Sequence, residues 1–246
     1  MRAPSTLTHT VRRSAPFAAA SLLALVLPLA AAGDDAPEAG PHAAARAAIE
    51  RMAAGLEGVR ILRGDYVQTQ ESLLLAEPIV SKGRLHIRRE PGCLLLEIAE
   101  PRRVRIRSDA TTHQIHHPDL GRAERWVFES NEATKALLQC FSSDARRLEQ
   151  TFAIRASKST EEAIEIAMEP RNEDVGRLLT ELRLTIRTAD ARLVLVAHSN
   201  PEGEEVRIDV LTLELDPELD DPAALFDAPL PDGCRLMVHR VEKAKR

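Results

Sequence analysis

The chain has 246 residues with a formal net charge of −5, of which 44% are apolar and 29% charged. That apolar share argues against a disordered polypeptide, three Cys against a disulfide-dense scaffold, and the absence of a basic excess against a nucleic-acid binder that neutralises phosphates. Only five Phe, one Trp and one Tyr are present, so the core must be built mainly from aliphatic side chains.

Residues 1–32 carry Arg2, Arg12 and Arg13 and no acid, and the apolar run over residues 15–32 is broken only by Pro16, Ser21 and Pro28. A basic start, an apolar stretch and small residues at Ala30 and Ala32 are the order of a secretory signal peptide, with cleavage expected after Ala32. Its removal would leave 214 residues and take the net charge to −8. An uncleaved anchor would need about 20 apolar residues, and Pro28 interrupts this run. Residues 33–42 read as a polar spacer, and 241–246 as a basic tail.

In residues 43–56, Ala45, Ile49, Met52, Ala53 and Leu56 recur at spacings of three and four, one stripe of a helix that Gly58 stops. Beyond it the period becomes two: Tyr66, Gln68 and Gln70; Leu85 and Ile87; Leu94, Leu96 and Ile98; Val104 and Ile106. These are strands with one apolar face, separated by turns at Glu77-Pro78, Glu90-Pro91-Gly92 and Glu100-Pro101. A second helical patch is expected over residues 132–150. Strands then return around Ile164, Leu184, Leu193 and Ile208, with a hairpin turn at Asn200-Pro201-Glu202-Gly203. The pattern predicts a mainly β fold with α: one domain over residues 43–240, built on an antiparallel sheet of about ten strands that must curl or close.

The stretch from Ser81-Lys82-Gly83 through Arg88-Arg89-Glu90-Pro91-Gly92 to Glu100-Pro101 resembles the periplasmic outer-membrane lipoprotein carriers of the LolA type. Their pattern is a glycine, an alternating strand ending in Arg-Pro, a second alternating strand and a second Pro. Ser108-Asp109 and the closing Phe226, Pro229, Pro231 and Gly233 fit the same order. The chain departs from it at the inserted Glu90, at Ala110, and at Leu94 and Leu96, where the family carries aromatic residues. The resemblance implies an unclosed β half-barrel covered by helices.

Alternation places Arg89 on the same face as Leu85 and Ile87, so its guanidinium is aimed into an apolar concavity and needs partners there. Backbone carbonyls of the covering helices suit it, and Arg88 is expected to face solvent. In the resembling family the matching arginine latches the lid, so Arg89 is the candidate latch. Leu85, Ile87, Leu94, Leu96, Ile98, Val104 and Ile106 are the candidate lining of a lipid cavity.

Nothing reads as catalytic: there is no G-x-S-x-G, C-x-x-C, H-E-x-x-H or glycine-rich phosphate loop. No cofactor is expected. His113, His116, His117 and Asp119 are close in sequence, but on a strand His113 and His116 point to opposite faces, and no metal site is expected. At most two of Cys93, Cys140 and Cys234 can pair within one molecule, and buried free thiols fit equally well. The resemblance implies a monomeric, non-enzymatic periplasmic carrier of lipid or lipoprotein acyl chains. It would be loaded by an inner-membrane ABC exporter and unloaded at an outer-membrane acceptor. A lipoprotein-sensing regulatory module of the same fold and a carrier of another amphiphile, such as a glycolipid, are the alternatives.

Overall fold

A computed structural model describes residues 42–241; the expected signal peptide and nearly all of the spacer and basic tail lie outside them. The first helix, α1 (Ala43–Ala54), buries Ala45, Ala48, Ile49, Met52 and Ala53, the stripe its spacing predicts. Gly58, at φ 74°, turns the chain out of it, a conformation only glycine adopts without strain.

Strands β1 (Ile61–Glu71), β2 (Ile79–Arg88), β3 (Cys93–Glu100), β4 (Val104–Asp109), β5 (Thr112–His117) and β6 (Arg122–Phe128) follow as an antiparallel meander. The single helical patch expected over residues 132–150 is broken in two, α2 (Glu132–Leu138) and α3 (Ala145–Thr151), with a 3₁₀ turn at Gln139–Phe141 between them. Each part has its own cap: Asn131 accepts from the Thr134 amide and Asp144 from the Arg146 amide. A capping aspartate inside the patch starts a new helix there.

These helices carry the chain to the far edge of the sheet, where β7 (Phe152–Ser159), β8 (Ala163–Pro170), β9 (Glu181–Arg187), β10 (Leu193–Ser199) and β11 (Glu205–Val210) step back inward. A four-residue helix α3′, Glu173–Gly176, bridges β8 and β9. β11 then pairs with β1, Tyr66 opposite Val210, and the two-residue β12 (Glu214–Leu215) extends the pairing. The first strand is therefore central, and two half-sheets built in opposite directions meet on it.

The last segment was not foreseen as structure. A short helix α4 (Pro222–Asp227) crosses the sheet, and β13 (Arg235–Val241) pairs with β6 in parallel. The sheet is thus mixed, and β13 is the one departure from the antiparallel expectation among its described strands. Trp126 on β6 stacks on His239 of β13 with ring centroids 5.1 Å apart, which holds this edge in place. Edges β13 and β7 do not pair, so the sheet is unclosed.

Candidate functional site

Helices α1, α2 and α3 lie on one face of the sheet, its inner face. α1 packs on β7, β8 and β9, α2 on β3 and β4, and α3 on β7. Under α1 the core is closely filled, with Ile49 and Met52 against Ile166, Met168, Leu182 and Leu184. Toward β1 and β2 a second cluster of Leu56, Leu62, Tyr66, Leu85, Ile87, Leu96 and Val210 forms the floor of a trough. Its roof is Leu138, the last residue of α2, and Phe141 of the 3₁₀ turn that follows.

Of the sequence-predicted lining, Leu85, Ile87 and Leu96 are buried in this second cluster, and Leu94, Ile98 and Ile106 pack against it. Val104, at the start of β4, is half-buried and lies outside the cluster. Leu56, Leu62, Tyr66 and Val210 were not singled out as lining. Leu62 and Tyr66 share a period of two with the predicted set, but Val210 joins them only through the β1–β11 pairing.

Arg89, half-buried one residue past the end of β2, reaches across the trough. Its Nη1 donates to the carbonyl oxygens of Leu56 and Val59, each at 2.5 Å, in the turn that follows α1. Its amide donates to the Arg60 carbonyl at 2.9 Å. One guanidinium therefore ties the end of β2 to the end of α1. Hydrogen bonds to a charged donor are worth about 1.5–3 kcal/mol, and here they add to the turn's own bond from the Val59 amide to the Leu56 carbonyl.

Two cavities lie beneath the helices. One, of about 220 Å³, is bounded by Met52, Leu56, Leu62, Cys140, Phe141 and Leu193, and its lining is largely apolar. The other, of about 270 Å³, opens beside Arg89 and is of mixed lining, with Glu90, Lys135, Asp144 and Arg147 facing Ile87, Leu138 and Phe141. Both fall below the roughly 300–1,000 Å³ of a typical ligand site, so a lipid tail requires the roof to rise. A larger groove of about 630 Å³ lies on the opposite face, over β7 to β11, but Lys158, Glu165, Arg183, Arg207 and Asp209 line it.

Arg88 corrects the expectation that it faces solvent. It points to the outer face, where its Nη1 donates to Asp227 Oδ2 at 2.7 Å and its guanidinium lies 5.0 Å from the Phe226 ring centroid. Arg107 donates to the Phe226 carbonyl at 2.7 Å and Arg105 to that of Leu225. Phe226 is 1% exposed and packs on Cys93 and Leu95. The α4 segment is thus a strap bound across the back of β2, β3 and β4. The Arg88 hydrogen bond holds the Asp227 carboxyl below the ordinary aspartate range.

Of the remaining candidates, His113 and Asp119 have side-chain partners, Asp119 in an ion pair with Arg103. His113 meets Ser108 Oγ at 2.6 Å and the Trp126 ring at 5.7 Å, and burial lowers its pKa. His116 is on the other face, as alternation requires. Among the described residues no three His, Cys, Asp or Glu side chains converge as metal ligands would. The three cysteines are unpaired; Cys140 is buried in the roof, where burial pushes its thiol up to about 12, and Cys93 is buried beneath the strap. No helix among the described residues is long and apolar enough to cross a membrane.

Solved structures with a similar course include an uncharacterized conserved protein from Thermus thermophilus, at 8% identity and a TM-score of 0.46, covering 80% of this chain and 99% of that one. A LolA superfamily protein from Nitrosomonas europaea aligns at 10% identity and a TM-score of 0.40, covering 74% and 96%. The MucA/MucB complex from Pseudomonas aeruginosa aligns at 14% identity and a TM-score of 0.38, covering 72% and 59%. No curated protein sequence matches the chain. The family model of the outer membrane lipoprotein carrier protein LolA matches residues 57–227, which hold all of the trough floor but Leu56, together with Arg89, the roof and the strap helix. The chain belongs to the LolA family.

Proposed function

We propose that the protein is a periplasmic carrier that shelters lipid or lipoprotein acyl chains in the trough between the inner face of the sheet and its helical roof. Hydrocarbon tails are insoluble, and burying them gains about 0.8 kcal/mol per methylene. A carrier must offer apolar area, hide it when empty and give up the cargo to a better site. The observation that carries this reading is Arg89, whose Nη1 holds the Leu56 and Val59 carbonyls over an apolar floor of Leu62, Leu85, Ile87 and Leu96. A few hydrogen bonds of this kind form a reversible closure: tails entering beneath the roof break them, and delivery restores them.

Family membership supports a non-enzymatic binding role and a periplasmic setting. An inner-membrane ABC exporter as donor and an outer-membrane acceptor complete the proposed route. The test is purification of the protein from a native envelope, with mass spectrometry of what accompanies it. A lipid or triacylated peptide bound in stoichiometric amount is the expected result. Protein free of lipid that also fails to take up a fluorescent acyl probe would overturn the carrier.

A further inference from the structure

The trough floor changes character along β1. From the latch end, its inner-face positions read Leu62, Gly64, Tyr66, Gln68 and Gln70. The β2 residues opposite them read Ile87, Leu85, Gly83, Ser81 and Ile79. Along this strand pair hydrocarbon lies on one side of Tyr66, whereas on the other two amides and a hydroxyl interrupt the apolar surface that Ile208 and Val206 of β11 continue. Gln70 is already bound to Glu204 of the β10–β11 turn.

Tyr66 sits at the change. It is 1% exposed and belongs to the floor cluster, yet its hydroxyl has no hydrogen-bond partner among the described residues. Burial alone pushes this phenol's pKa up, which keeps it a proton donor. Gly83, opposite it, leaves the neighbouring position without a side chain, and a Cβ there would lie 2.1 Å from the Glu97 carbonyl oxygen. An unpaired buried hydroxyl opposes folding, and phenylalanine would fill the same space without that penalty.

We propose that the Tyr66 hydroxyl is a cargo anchor that donates to the carbonyl of an ester- or amide-linked acyl chain once the roof has lifted. The tails then lie toward Leu62 and Ile87, and the polar head toward Gln68 and Ser81. This rests on the acyl-carrier reading and narrows it: the cargo class is acyl lipid bearing a carbonyl, as distinct from plain hydrocarbon or alkyl ether.

The test compares two soluble short-chain phosphatidylcholines of equal tail length, one ester-linked and one ether-linked. Binding of each to the protein and to Tyr66→Phe is measured, together with thermal unfolding of both proteins when empty. The unsubstituted protein should prefer the ester by about two- to tenfold, the net worth of one hydrogen bond. Tyr66→Phe should bind both lipids equally and melt at a higher temperature. Equal binding by the unsubstituted protein, or an ester preference that survives in Tyr66→Phe, overturns the anchor and leaves the carrier standing. Binding of neither lipid overturns the anchor, and overturns the carrier as well if the protein also takes up no fluorescent acyl probe.

Discussion

The two faces of this sheet are covered by different means. On the outer face, the strap is fixed by one deeply buried aromatic ring and by arginines from two strands: Phe226 on Cys93 and Leu95, Arg88 on Asp227, and Arg105 and Arg107 on strap carbonyls. On the inner face, near the trough, the roof of Leu138 and Phe141 rests on aliphatic contacts, and one guanidinium shared between the Leu56 and Val59 carbonyls pins the turn after α1 beside it, with cavities on either side. A cover anchored by a buried ring comes off only when the domain unfolds. One fixed by a few hydrogen bonds over incompletely filled space opens at much lower cost. Adjacent arginines, Arg88 and Arg89, serve the two covers because successive residues of an extended chain point to opposite sides.

The largest expected effect lies on the fixed side. Phe226→Ala removes the ring that seats the strap and should cost about 3–5 kcal/mol, read as a lowered midpoint in urea. A loss under about 1 kcal/mol, within the range of ordinary surface changes, would show that the strap is not fixed in this way.

The two buried thiols sharpen the contrast, since Cys140 lies within the roof and Cys93 beneath the strap. In a Cys234→Ser background, native-state labelling of both should be slow. Arg89→Leu should speed labelling of Cys140 about tenfold or more, as the loss of charge-assisted hydrogen bonds implies, and leave Cys93 unchanged. Acceleration at both sites would mean that the covers open together.

The same variant should bind acyl probes several-fold more tightly and release them more slowly, because apparent affinity rises with the fraction of open protein. Unchanged uptake and release in Arg89→Leu would exclude the latch.

The smallest effect concerns acid. The Asp227 carboxyl is held low chiefly by its hydrogen bond from Arg88. Its contribution to stability is therefore complete above about pH 4, the ordinary aspartate range, and is lost as pH falls through the lower folded value. Asp227→Asn should flatten the acid limb of the stability profile; Asn at this site leaving that limb unchanged would assign the acid sensitivity to other carboxylates.

Much of this was legible in the chain because alternation is local. Leu85, Ile87, Leu94 and Leu96 announce one apolar face, and the same period aims Arg89 inward with no knowledge of the rest of the fold. Asp144 shows why one helical patch becomes two, a detail that the apolar stripe alone obscured. What Arg89 would grip could be named only by type, as carbonyls, since the positions of Leu56 and Val59 depend on how α1 leaves the sheet.

The sequence by itself determined the inner and outer sides of each strand, the first helix and the arginine pair, because each depends on neighbours within a few residues. Tertiary structure alone decided that β11 closes on β1, that Val210 completes the trough floor, that β13 lies parallel to β6 and that Arg88 is roofed by a strap from the far end of the chain. Those pairings join segments more than a hundred residues apart. They are selected by which closures bury the most apolar surface without leaving polar groups unpaired, a property of the whole chain rather than of any stretch within it.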